Sequence, residues 1–213
     1  MKEMQLLDQL VTRYPALLPV KTEIWDSYIA LQDCYASGHK LLVAGNGGSA
    51  ADAEHMVGEL MKSFVKKRPL SEELKGQITG VDAVRAQELN QVLEGALPSI
   101  SLCGHPSLSS AMLNDKGGLY VIAQQVIGYG LPGDVFIGIT TSGNAENIVN
   151  AAVVAKAKGL TVIGLTGKSG GELTKISDIS VIVPNQSTYQ IQEYHLPIYH
   201  ALCLMLEEHF FPV

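Results

Sequence analysis

Apolar residues fall into two regimes along the chain. Over residues 1–37 they recur at helical spacing, with Leu6, Leu10, Ile24, Tyr28 and Leu31 on apolar faces and interruptions around Pro15 and Pro19. From residue 40 onward, short apolar runs appear at 40–44, 99–103, 134–140, 161–165 and 180–183. Uninterrupted runs of this kind suit strands buried on both faces, and mostly helical stretches separate them. The alternation predicts a parallel sheet with helices on both sides, preceded by an N-terminal helical segment over 1–37. It does not order the strands. Between the first two strands, residues 69–97 hold two helix-like pieces, 71–79 and 81–94, divided at Gly80. Leu74, Ile78, Val84, Leu89 and Leu93 supply apolar positions there but almost no reactive groups accompany them. We expect a helical insertion, at the surface or at a subunit contact, with the active site as another place it could cover.

Two of the strand ends carry candidate chemistry. After 40–44 comes Gly45-Asn46-Gly47-Gly48-Ser49, and then a helix. The glycines let the backbone turn tightly and approach a ligand, and the helix start points free N–H groups at it. In that helix His55 and Glu59 stand at i and i+4, so their side chains share one face. About two helical turns, roughly 10 Å, separate the anion cradle from this acid/base or metal pair. The second strand end runs into Thr141-Ser142-Gly143-Asn144-Ala145-Glu146-Asn147, again before a helix. Hydroxyls, a glycine and a helix start together suit a dianion. No Gly-Lys-Ser/Thr follows either loop, which argues against a Walker-type nucleotidase, and Ala50 stands where a dinucleotide fingerprint needs its last glycine. Each loop taken alone is equally a tight packing turn; two with Ser or Thr at the helix start favour phosphate.

The last helix, within 190–210, sets Gln192, His195 and His200 among apolar residues. Pro197 would reshape this helix locally. At ideal geometry Gln192 and His200 differ by about 80°, so both can face one cavity. His195 lies further round and reads as a hydrogen-bonded core residue. His200 has a complementary His/Glu pair awaiting it in the earlier helix.

Composition narrows the partners. A chain of 213 residues suits a single α/β domain, 1–213. Only 17% of residues are charged, below the usual quarter, which suggests surface hidden in an oligomer. A net charge of −6, with no basic cluster beyond Lys66-Lys67-Arg68, argues against a nucleic-acid partner. Cys34, Cys103 and Cys203 are scattered and odd in number, as in a reducing cytoplasm. No apolar run approaches the roughly 18 residues of a membrane span, and the first residues lack the apolar core of a secretion signal. The expectation is a soluble, cytoplasmic protein.

The ordered motifs Gly45-Asn46-Gly47-Gly48-Ser49, Asp52-Ala53-Glu54-His55 with Glu59, Asn114-Asp115, Thr140-Thr141-Ser142-Gly143-Asn144, Leu165-Thr166-Gly167-Lys168-Ser169-Gly170-Gly171, and Ile191-Gln192-Glu193 through His200 span most of the chain. Together they resemble the SIS (sugar isomerase) domain family, and within it the phosphoheptose isomerases. That resemblance implies a flavodoxin-like, three-layer α/β/α sandwich on a five-stranded parallel sheet. It implies a homotetramer with active sites at subunit contacts, acting on sedoheptulose 7-phosphate or a related ketose phosphate. By position, Glu59 is then the general base and His200 the partner acid/base. His55, Glu59, Gln192 and His200 surround a zinc ion in metal-bound members. Ser49, Thr140, Thr141 and Ser142 hold the phosphate end, with Asn46, Gly47 and Asn144 in the same loops, while Asp115 and Gln192 touch the sugar. Three positions depart from the family pattern: Ala145 replaces a common phosphate-binding serine, Tyr189 a common aspartate, and the 69–97 excursion is long.

Aldose–ketose isomerisation moves one proton between neighbouring carbons and another between their oxygens. A carboxylate suits the first task and an imidazole, titrating near neutrality, the second. The SIS family also contains non-catalytic modules, one of which binds the replication initiator protein DnaA, and a phosphosugar sensor without turnover is a third possibility. Retention of both Glu59 and His200 favours the enzyme.

Overall fold

The computed structural model describes residues 2–212. Five strands, β1 (Leu41–Ala44), β2 (Ser99–Ser101), β3 (Val135–Thr140), β4 (Thr161–Thr166) and β5 (Ile179–Ile182), form one sheet in the order β2-β1-β3-β4-β5. Every pairing is parallel, with Leu41 opposite both Ser99 and Val135. The predicted strands thus all form, each within two residues of its expected ends.

Burial explains why these runs are continuous rather than alternating. All four residues of β1 and all six of β3 are buried, because helices cover both faces. Leu41, Val43, Ile137, Ile139, Ile163 and Leu165 enter one core with α1 (Lys2–Arg13), α2 (Lys21–Ala36), α3 (Gly48–Met61) and α9 (Thr188–Phe210). Leu42, Ala44, Phe136 and Val162 enter the other, with α7 (Val121–Tyr129) and α8 (Glu146–Ala157). The result is a three-layer α/β/α sandwich. Its switch point lies between β1 and β3, where the strand order reverses direction, and a crevice outside the carboxyl ends of those two strands is where such sheets receive ligands.

The N-terminal proline breaks appear as a 3-10 turn over Pro15–Val20 between α1 and α2. Residues 69–97 fold as a two-helix hairpin, α4 (Glu72–Val81) and α5 (Ala83–Val92). The division falls at Asp82 rather than Gly80. The Asp82 carboxylate accepts from the backbone N–H groups of Val84 and Arg85, so an N-cap decides the boundary and Gly80 stays inside the first helix. This hairpin is anchored at its base, where Pro69 bridges Glu94 and Gly95 N–H donates to Arg68 O. Its outer positions remain open, with Val81 89% and Val84 80% exposed. Another helix, α6 (Pro106–Asp115), follows β2. Among the described residues, no helix is long and apolar enough to cross a membrane.

Pro197 sits inside α9 without dividing it. The helix stays continuous because Ile198, Tyr199, Ala201 and Leu202 bury their side chains beyond the proline.

Candidate active site

The two glycine-rich loops meet at the switch point. Gly47 adopts φ +56°, a left-handed conformation that a side chain would strain, and this turns the chain from β1 into α3. Gly45 is fixed by closeness, since a Cβ there would strike the Ser49 carbonyl oxygen. After β3, Gly143 has φ +72°, and a Cβ on it would strike the Gly170 carbonyl oxygen. No side chain caps α3 or α8; Ser49, Ala50 and Ile148 N–H turn back to the Asn46, Gly47 and Ala145 carbonyls, which leaves Gly48 N–H on α3 and Glu146 and Asn147 N–H on α8 to face an anion. Ala145 at the α8 cap position is the reason on that side.

Asn46 and Asn147 bridge the crevice with two reciprocal amide bonds of 2.9 Å. With Gly47, Ala50, Cys103 and Ser109 they line a cleft of about 230 Å³. Thr140 is buried, Thr141 and Ser142 are half-buried, and Ser49 is buried at the start of α3. Asn144, though exposed, links two loops: its Oδ1 accepts from Glu172 N–H and its Nδ2 donates to Ser142 O. A larger cavity, lined by Asp26, Asp33 and His39, lies by Gly133 and Thr161 at the other end of the strands.

The reactive groups lie on α3 and α9, which run side by side in the same direction. Gln192 lies against Gly48, Tyr199 meets Asp52 and His55, and Cys203 lies against the Met56 carbonyl. His55 Nε2 is 3.2 Å from Glu59 Oε1, and Glu59 Oε2 accepts from Lys62 Nζ at 3.0 Å. The His55 and His200 rings stand 5.0 Å apart at 90°, and the Phe64 ring lies 5.3 Å from that of His200. Burial lowers the pKa of His200 below the ordinary imidazole value, His55 adds to that, and Glu59 partly opposes it. A neutral imidazole follows near pH 7. Its Nε2 is buried without a hydrogen-bond partner.

The sequence-derived residues therefore gather unevenly. His55, Glu59 and His200 form one cluster. Gln192 faces the same helix but at the level of Gly48, about two turns from His55, so it borders the anion loops. Asp115 ends α6, exposed, and accepts from Asn114 Nδ2, outside both groups. His195 is fully buried and bonds through Nε2 to the Thr166 carbonyl, and burial drives its pKa down to about 4, as suits a core histidine.

Two imidazoles and a carboxylate are a donor set typical of zinc, and the partnerless His200 nitrogen fits a ligand role. Among the described residues, however, no three His, Cys, Asp or Glu side chains are drawn into a ready cage. The donors fit the ion without being closed around it.

Sequence reading assigned no role to Tyr199, Asp52 or Asn147. Asp52 had a signal, being one turn before His55 on the same helix. Tyr199 had none beyond adjacency to His200.

A family model described as the SIS domain matches residues 82–167. The phosphoheptose isomerase of Aneurinibacillus thermoaerophilus is 37% identical over 179 residues, covering 84% of this chain and 77% of that protein. The phosphoheptose isomerase of a Nitratiruptor species is 35% identical over 208 residues, covering 98% of this chain and 97% of its own length. Among solved structures, a phosphoheptose isomerase from Francisella tularensis superposes with a TM-score of 0.73 at 30% identity, over 95% of this chain and 98% of that one. The chain belongs to the SIS-domain family and, within it, to the phosphoheptose isomerases.

Proposed function

We propose that the chain is an aldose–ketose isomerase of phosphosugars, with sedoheptulose 7-phosphate as its substrate. The observation that carries this reading is the facing of Glu59 and His55 on α3 with His200 on α9, next to two uncapped helix starts at the switch point. The phosphate rests on the loops of Gly45–Ser49 and Thr140–Asn144, held by backbone N–H groups and the hydroxyls of Thr141 and Ser142. Fixing the remote phosphate places the carbonyl end of the sugar near α3 and α9 without spending chemistry on it. Gln192, at the level of Gly48, contacts the sugar between the two.

Glu59 takes the proton from one carbon and returns it to the next, its other carboxylate oxygen accepting from Lys62. His200, neutral and only partly solvated, moves the second proton between the sugar oxygens. Phe64 packs against that imidazole, and Leu196, Pro197 and Leu204 of α9 line a cavity that opens beside it. His55, Glu59 and His200, joined by Gln192 if that side chain swings toward them, would hold the zinc ion. Bound there, zinc supplies charge stabilisation for an enediolate.

The assembly we infer is a homotetramer in the cytoplasm. Support comes from the low charge content, the exposed apolar positions of the 69–97 hairpin, and three free cysteines. Domain organisation is read as one SIS domain over 1–213, with 1–37 and 69–97 as helical additions. The test is solvent deuterium uptake into sedoheptulose 7-phosphate, with and without added zinc. Uptake at the carbon next to the carbonyl is expected; no uptake with any of a panel of ketose phosphates would leave a non-catalytic binding role.

A further inference from the structure

Behind the His55 ring, away from Glu59, stands a short relay. Tyr199 OH lies 3.0 Å from His55 Nδ1 and 3.3 Å from Asp52 Oδ1. Tyr199 is almost fully buried, its ring is edge-on to both His55 and His200, and Asp52 keeps a second buried oxygen with no other partner. A tyrosine hydroxyl has one proton to give. An ionised carboxylate can only accept, so that proton goes to Asp52. The hydroxyl oxygen is then left as an acceptor, and among the described residues the other group within hydrogen-bond distance of it is His55 Nδ1, whose proton completes the relay. His55 Nε2 is consequently the nitrogen with the free lone pair, and it points at Glu59.

We infer that Asp52 and Tyr199 are positioning residues that fix the proton of His55 on Nδ1 and hold its Nε2 toward the Glu59 carboxylate as the working nitrogen. The juxtaposition on the other side of the ring agrees. With Nδ1 committed, Nε2 and Glu59 Oε1 are two acceptors 3.2 Å apart, an arrangement that draws a cation between them. Outer partners of this kind set both ring orientation and donor strength in a ligating histidine. Without Tyr199, rotation about the His55 side chain and exchange between its two neutral forms would both be free.

The catalytic meaning of this assignment rests on the proposed isomerase site, but the position of the proton does not. The experiment is long-range proton–nitrogen NMR of the histidine rings at mildly alkaline pH, on the full chain, metal-free and with zinc added, alongside competition titration of zinc affinity. The wild-type chain is expected to show His55 protonated at Nδ1 in both states. Tyr199→Phe keeps the ring packing and should give a mixture of neutral forms, with zinc binding weakened about 10- to 100-fold. Asp52→Asn, which can donate to the hydroxyl and reverse the relay, should move the proton toward Nε2. A wild-type proton on Nε2 alone, or a Tyr199→Phe chain with unchanged spectrum and zinc affinity, would overturn the assignment. Absence of deuterium exchange in the wild-type chain would instead remove the isomerase reading and leave the NMR result standing.

Discussion

The contact between α3 and α9 contains two polar clusters within a few turns of each other, and they are built on opposite principles. At the lower end Glu207, fully buried, accepts from Phe64, Val65 and Lys66 N–H and from Arg68 Nε. Arg68, equally buried, donates its other nitrogens to the Leu60 and Glu59 carbonyls, which caps the last turn of α3. Every polar atom in this clamp has a partner. About two turns of α9 away, the His55, Glu59 and His200 cluster leaves His200 Nε2 unpartnered, and Asp52 behind it keeps a bare oxygen. Completed networks hold a fold in place, whereas an unpartnered buried nitrogen set beside a second imidazole and a carboxylate leaves room for a ligand. The same pair of helices thus carries a fastening and a reactive centre, and the fastening grips the carbonyl of the very residue proposed as base.

The sharpest separation of the two is expected from Glu59→Gln. The amide keeps the size of the carboxylate but cannot take a proton from carbon, so deuterium exchange should fall about 10²- to 10⁴-fold. Stability should hardly change, because Lys62, the partner on its other oxygen, is largely exposed. Exchange rates by NMR and the urea midpoint of the same sample read both quantities. Retained turnover would take Glu59 out of the mechanism.

Arg68→Met should give the reverse pattern. It strands the Glu207 charge in the core, and breaking a buried pair by removing one partner costs about 3–5 kcal/mol. Urea denaturation measures that loss. The pH dependence of the wild-type chain probes the same clamp from the other partner. Burial pushes the Glu207 carboxyl up, but the bonds from Phe64, Val65 and Arg68 outweigh it and hold the pKa below the ordinary glutamate value. A depressed folded pKa contributes stability that is present above the unfolded pKa and is lost as pH falls through the folded one. The wild-type midpoint should therefore fall below about pH 4.5, and Glu207→Gln, less stable throughout, should lack that component. A flat wild-type profile there would count against the clamp.

What the chain reveals before folding follows the same division. Strands were legible because sheet burial on two faces leaves uninterrupted apolar runs, and the loops because glycine marks turns that other residues cannot make. His55 and Glu59 were legible because one helix fixes their spacing. Relations between helices were not. Periodicity places Gln192 and His200 on one side of α9, but only the packing against α3 shows that Gln192 meets Gly48 while His200 meets His55. Glu207 drew no reading from the sequence, and Arg68 read only as part of a basic run, since nothing local announces a pair 139 residues apart. The hairpin boundary was missed by two residues because a glycine weakens a helix by only about 1 kcal/mol, while the Asp82 cap acts positively.

The smallest effect is expected at the crevice, where the comparison can be carried from the helices to the loops. Asn46 and Asn147 tie the β1 and β3 loops by two amide bonds, exposed to water and remote from the proton-moving groups. Neither bond contributes much to the fold, because water competes for both amides. Their effect is on the spacing of the two uncapped helix starts. Asn147→Ala should thus leave kcat and the urea midpoint unchanged while raising KM for the phosphosugar about fivefold, as loss of about 1 kcal/mol of anion positioning implies. A change in kcat instead of KM would mean that the bridge reaches the reacting carbons, and the loops and the α3–α9 cluster would then act as one unit rather than two.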